Sequence, residues 1–196
     1  MLPLIRVNEP ANFDLTVRQP GKKFLSKIPN PTERQWKGKE YWQKSLVDMR
    51  THYHKICSYS ACWIPHSTGS HSIDHFVAKA ITPAFAYEWN NFRYVSARFN
   101  SRKGVKKIVD PVGMQFHWFI MDFSTFFVKP NIAELSDNEL LLADNTITIL
   151  KFNDDDELIN ERQSYYDDYK NNHIDIVYLR RVAPFIAYEM QRQNLL

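Results

Sequence analysis

No stretch of the sequence approaches the ~20 consecutive apolar residues that a membrane-spanning helix needs. The opening MLPLIRVNEP carries too short an apolar run for a secretory signal. Both absences predict a soluble, cytoplasmic protein with no membrane partner. There is no internal repeat and no low-complexity segment, which excludes solenoids and flexible tethers. Cysteine is limited to Cys57 and Cys62, too few for a four-thiolate zinc site; in a reducing compartment the two are expected as buried free thiols. Acidic residues are missing from one stretch altogether, since residues 93–107 hold six Lys or Arg and no Asp or Glu.

What is present is ordinary for a globular chain of 196 residues: 44% hydrophobic and 24% charged, with aromatics at 14%. That length supports a real core, and the aromatic side chains are expected to fill it. The net charge of +3 is unevenly spread. Ten Lys or Arg face Glu33, Glu40 and Asp48 over residues 18–55, whereas eleven acids face Lys151 and Arg162 over 134–168. A basic front half would attract a phosphate backbone; equally, the two halves would attract each other.

Chemistry concentrates in residues 72–104, SIDHFVAKAITPAFAYEWNNFRYVSARFNSRKG. Asp74 and His75 set a carboxylate suited to a hard cation beside an imidazole able to take a proton near neutral pH. Asn91 and Asn100 lie nine positions apart around a short predicted strand marked by Phe92, Tyr94 and Val95, with a partner strand predicted at 73–77. The order Asp-His, Asn, then nine residues on a His or Asn, then a Lys three beyond is met by Asp74-His75, Asn91, Asn100 and Lys103. This pattern resembles the HNH (ββα-metal) endonuclease family, over about a third of the chain. DHFVAKA and YEWNNFR resemble the subgroup that reads DHF-x-PK and EW-x-NLR, with Ala78 at the usual proline. FNDDDELINER and APFIAYEM extend that likeness toward the C-terminus.

The resemblance implies an α+β fold with a small hairpin-helix core embedded in helices, and hydrolysis of DNA, with RNA the other substrate. It implies Mg2+ or Mn2+ held by Asp74 and Asn100, a proton taken from water by His75, and Asn91 bracing the loop between the strands. Arg93, Arg98, Arg102, Lys103, Lys106 and Lys107 would then track the phosphates. Members of the subgroup occur in antiviral systems beside an ATPase, so an antiviral setting and an ATPase partner are implied too. Cys57 and Cys62 stand where many members carry the first half of a structural zinc site, but the second pair would fall at Ser96 and Phe99. Only Cys57, Cys62, His66 and His71 remain as a mixed Zn2+ set. Two other readings stay open: a non-catalytic nucleic-acid-binding or assembly module on the same scaffold, and a zinc-bound interaction protein.

Around this stretch, residues 1–31 read as an irregular basic arm punctuated by Pro3, Pro10, Pro20, Pro29 and Pro31. Residues 32–110 read as the nuclease core with a preceding helix, and 111–196 as an α/β support packed on it. Thr32 with Gln35 and Ser136 with Glu139 are predicted capping boxes. Trp42, Leu46, Met49, Tyr53 and Ile56 fall on one helical face. Glu88 reads as a surface acid and Trp89 as a core plug. A second hairpin is predicted around 122–124, with His117 packed in its aromatic strand, then a strand at 145–152. A helix is predicted after Asp154-Asp155-Asp156-Glu157, and another over 175–193, broken by Pro184.

Overall fold

In the computed structural model, which describes residues 1–196, the fold is α+β, with eight α-helices and two separate two-stranded antiparallel hairpins. The chain forms two compact units. An N-terminal unit comprises Arg6–Lys55 and Ile64–Val105; a C-terminal unit comprises Met1–Ile5, Ile56–Trp63 and Lys106–Leu196. These boundaries differ from the expected 1–31, 32–110 and 111–196.

Within the expected irregular arm the N-terminal unit is helical over 14–25 and without regular structure on either side. A π-turn, Asp14–Arg18, runs into helix α1, Gln19–Leu25. Pro20, which has no N–H to give, sits where the π-turn passes into α1. Arg18 ties the segment down, its guanidinium meeting the carboxylates of Glu9, Asp14 and Glu88. Gly21 packs against the Tyr87 ring so closely that a Cβ there would lie 2.1 Å from ring Cγ. Helix α2, Glu33–Trp36, opens on the Thr32–Gln35 capping box. The expected long helix then splits: Gly38 takes φ +73°, a 3-10 turn covers Tyr41–Ser45, and α3 spans Leu46–His52. Aromatic rings fill the interior, with Phe24 on Trp36 at 5.5 Å, Trp36 on Trp42 at 5.8 Å, and Phe13 edge-on to Trp89 at 5.4 Å. Trp89 is thus the expected core plug, anchored by Nε1 donating to Val7 O at 2.8 Å. Strands β1, His71–His75, and β2, Phe92–Ser96, with helix α4, Ala97–Lys103, complete the unit.

The C-terminal unit pairs β3, Phe119–Asp122, with β4, Phe127–Pro130, at the predicted hairpin. Helix α5, Asp137–Leu150, opens on the Ser136–Glu139 capping box and runs straight through the predicted strand at 145–152. The β-branched run Thr146-Ile147-Thr148-Ile149 suggested a strand. The helical spacing of Ala143, Thr146, Ile147 and Leu150 decides, because those four are the buried residues of one face. Helices α6, Asp156–Lys170, α7, Ile176–Val182, and α8, Pro184–Arg192, follow, with Pro184 at the start of α8 as the break. His117 lies outside β3, exposed at φ +72°, its Nδ1 2.8 Å from the Tyr188 hydroxyl. It is therefore not a packed strand residue. Two buried polar groups hold this unit together. Arg162 donates to Phe126 O at 3.0 Å and Phe152 O at 2.7 Å; Glu189 accepts from Met121 N at 2.9 Å and pairs with Arg192.

Candidate active site

β1 and β2 pair antiparallel from His71 opposite Ser96 to His75 opposite Phe92. The chain then enters α4 directly, Ser96 Oγ accepting from Phe99 N as the cap. Strand residues alternate in direction, so Ser72 and Asp74 share one face. Two strand residues advance about 7 Å and three helical residues about 4.5 Å, close enough for Asn100 and Lys103 of α4 to meet Ser72 and Asp74 in order. Asn100 Nδ2 donates to Ser72 Oγ at 2.7 Å and to Ile73 O at 3.3 Å. Lys103 Nζ lies 3.0 Å from Asp74 Oδ2 and 3.1 Å from Oδ1, and donates also to His75 O at 3.1 Å.

The Asp74–Lys103 pair is buried, at 2% and 1% exposure. Each charge therefore depends on the other, since an unpaired ion in that setting is costly. Lys103, expected as a surface grip on phosphate, is instead the counter-ion of the carboxylate. Arg93 is also internal, its Nη1 donating to Asn90 O at 2.9 Å and Phe92 O at 2.8 Å, its guanidinium over the Phe76 ring. Of the other expected phosphate contacts, Arg98 is exposed and Arg102 half-buried over Phe99, while Lys106 and Lys107 are exposed and belong to the C-terminal unit.

His75 follows Asp74 as the last residue of β1. Its Nε2 donates to Ala86 O at 2.9 Å, which leaves the lone pair on Nδ1 in the neutral ring. Trp42 and Phe92 stand edge-on to the ring at 4.7 and 5.4 Å. Burial, opposed by the Ala86 hydrogen bond and assisted by Lys79 and Lys103, depresses the imidazole to about 4. Asn91 braces the loop that carries Ala86: its Oδ1 accepts from Val77 N at 2.8 Å, and its Nδ2 donates to Val77 O at 2.9 Å and Phe85 O at 3.1 Å. Glu88 is engaged away from this site, by Arg18 and Lys22.

Asp74, His75 and Asn100 line one cavity of about 350 Å³ together with Trp42, Lys79 and Gly104. A carboxylate and an amide oxygen on one wall suit a hard, oxygen-seeking cation, which Mg2+ proteins commonly bind through one or two protein oxygens with water in the remaining positions. The donor types suit Mg2+ or Mn2+, but both Asp74 oxygens are engaged by the Lys103 ammonium, with which a cation would compete.

No three His, Cys, Asp or Glu side chains gather at metal-binding distance. Cys57 and Cys62 form no disulfide and are buried in the C-terminal unit, where burial pushes the Cys62 thiol up to about 12 and its Sγ lies 3.7 Å from Ser60 O. His66 is exposed, and His71 opens β1 with Nδ1 3.4 Å from the Tyr94 hydroxyl.

Sequence reasoning missed three participants. Ala86 acts through its carbonyl, which no side-chain motif can signal. Trp42 read as one of a helical apolar stripe. Lys79, whose ammonium sits over the Trp36 and Trp42 rings, was present in the DHFVAKA string without a role. No family model matches the chain, and no curated protein matches it significantly.

Proposed function

We propose that the chain is a metal-dependent endonuclease of the HNH kind that hydrolyses phosphodiester bonds in nucleic acid, DNA in the first instance. The observation that carries this is His75: a neutral imidazole whose Nε2 is fixed on a backbone carbonyl, in the cavity that Asp74 and Asn100 line. Nδ1 takes the proton of the attacking water, and Ala86 O holds the ring in that tautomer and steadies the imidazolium that forms. Asn91 keeps the loop, and so the carbonyl, in place. Lys79 presents its ammonium to the phosphate from the cavity wall. Asp74 and Asn100 would hold the cation, which when bound supplies Lewis-acid stabilisation of charge on the phosphate and the departing 3′-oxygen. The P–O3′ bond breaks, giving 5′-phosphate and 3′-hydroxyl ends.

The buried Asp74–Lys103 pair favours the rival reading, a binding module on the same scaffold, because it already neutralises the carboxylate. One experiment separates the two: supercoiled plasmid incubated with wild type and His75→Ala under Mg2+, Mn2+ or EDTA. Metal-dependent nicking that the variant loses by at least about a hundredfold is expected for general-base removal. Equal cleavage by the variant would remove His75 from the chemistry, and no cleavage by either protein would favour the binding module.

A further inference from the structure

A second concavity of the N-terminal unit, about 570 Å³, is lined by Lys23, Lys27, Lys39, Gln35, Tyr41 and Phe24, with no acid among its walls. Its lysines are placed by α1 and the turn after α2. The neighbouring Lys22, by contrast, is engaged by Glu88 at 3.5 Å. Beneath the surface, buried ring contacts run from this groove to the cavity that His75 lines: Phe24 to Trp36 at 5.5 Å, Trp36 to Trp42 at 5.8 Å, Trp42 to His75 at 4.7 Å. Tyr41 and Trp42, consecutive in one 3-10 turn, line the groove and the cavity respectively.

We propose that this groove binds an unpaired strand of nucleic acid and leads it to His75, an inference that rests on the nuclease reading. Lys23, Lys27 and Lys39, with the half-buried Tyr41 ring on the same walls, offer a single strand cations for its phosphates and an aromatic edge for a base. A duplex offers only its phosphates, its bases being stacked inside, and a concavity of small-ligand size admits one strand rather than two. The substrate class is therefore single-stranded nucleic acid, or duplex with an opened segment.

The test is fluorescence anisotropy of a short labelled oligothymidylate in EDTA, where cleavage cannot contribute. Wild type is compared with the triple variant Lys23→Ala, Lys27→Ala, Lys39→Ala and with the corresponding triple Arg variant. Losing three phosphate contacts should make the slope of log affinity against log salt shallower by about 2, at ~0.7 per contact, and weaken binding at low salt at least about tenfold. The Arg variant should keep both, and the matching duplex should bind more weakly than the single strand. An unchanged slope in the Ala variant, or tighter binding of the duplex, would overturn the proposal. Binding is read without metal, so failure of cleavage with this slope change intact would bring down only the nuclease reading. Intact cleavage with an unchanged slope would bring down only the groove.

Discussion

Nε2 of His75 donates a hydrogen bond to Ala86 O, and Trp42 and Phe92 stand edge-on to the ring, so burial disfavours the imidazolium. The unfolded chain takes up a proton at this residue near pH ~6.5, whereas the folded protein refuses it until about 4. Stability contributed by the neutral ring is thus complete above pH ~6.5 and is lost as pH falls from there toward about 4. At about 1.4 kcal/mol per pH unit the loss approaches about 3 kcal/mol. Urea unfolding at neutral pH and near pH 4.5 should show this loss in wild type and not in His75→Gln. The same pH dependence in both would mean that another group titrates. The proposed base also stays neutral across this range, which moves the expected acid limit of activity well below the ~6.5 of an ordinary histidine.

The loop between β1 and β2 depends on one side chain for its shape. Asn91 satisfies both backbone groups of Val77 and the carbonyl of Phe85. Asn91→Ala should therefore cost about 3 kcal/mol, since it strands several part-buried polar groups. Amide exchange should rise across 76–91 while α3 stays protected, and activity should fall because Ala86 O no longer fixes the imidazole. An effect on rate alone, with exchange unchanged, would give Asn91 a direct chemical role instead. What was legible beforehand follows from the same distinction between covalent spacing and tertiary placement. Asp74-His75, Asn91 and Asn100 could be found because strand, loop and helix lengths fix their offsets along the chain. The capping boxes at Thr32 and Ser136, the 122–124 hairpin and the Pro184 break were local and also readable. Helix α1 was not, since its anchor is Arg18 reaching Glu88, far away in sequence, and its close approach to Tyr87 shows only as a glycine. Nor could the motif reveal that Lys103 turns inward to Asp74, a packing outcome that its position three residues past Asn100 leaves open.

At the scale of the molecule, charge follows the two units. The cation-rich stretches 18–55 and 93–105 lie in the N-terminal unit with the candidate site, and the acid-rich 134–168 lies in the C-terminal unit. The acidic, tyrosine-bearing helices at the C-terminal end carry the core of their unit on their inner faces. Leu158, Arg162, Leu179, Phe185, Ile186 and Met190 are buried, and Glu189 holds the backbone of β3 at Met121. Arg162 is committed as fully: its guanidinium caps the carbonyls of Phe126 and Phe152, and burial lowers it to about 10, so its removal would strand two acceptors. A chain ending at residue 153 should consequently lose the packing of β3, β4 and α5, bind an apolar dye such as ANS, and be cut by protease throughout 106–153. If the shortened chain stayed dye-silent and protease-resistant there, α6 to α8 would be a dispensable appendage, and their buried faces would need another explanation. Loss of a partner on such a truncation would report unfolding, so docking on these helices has to be probed by substitutions at exposed positions such as Val177 and Tyr178, which leave the core intact.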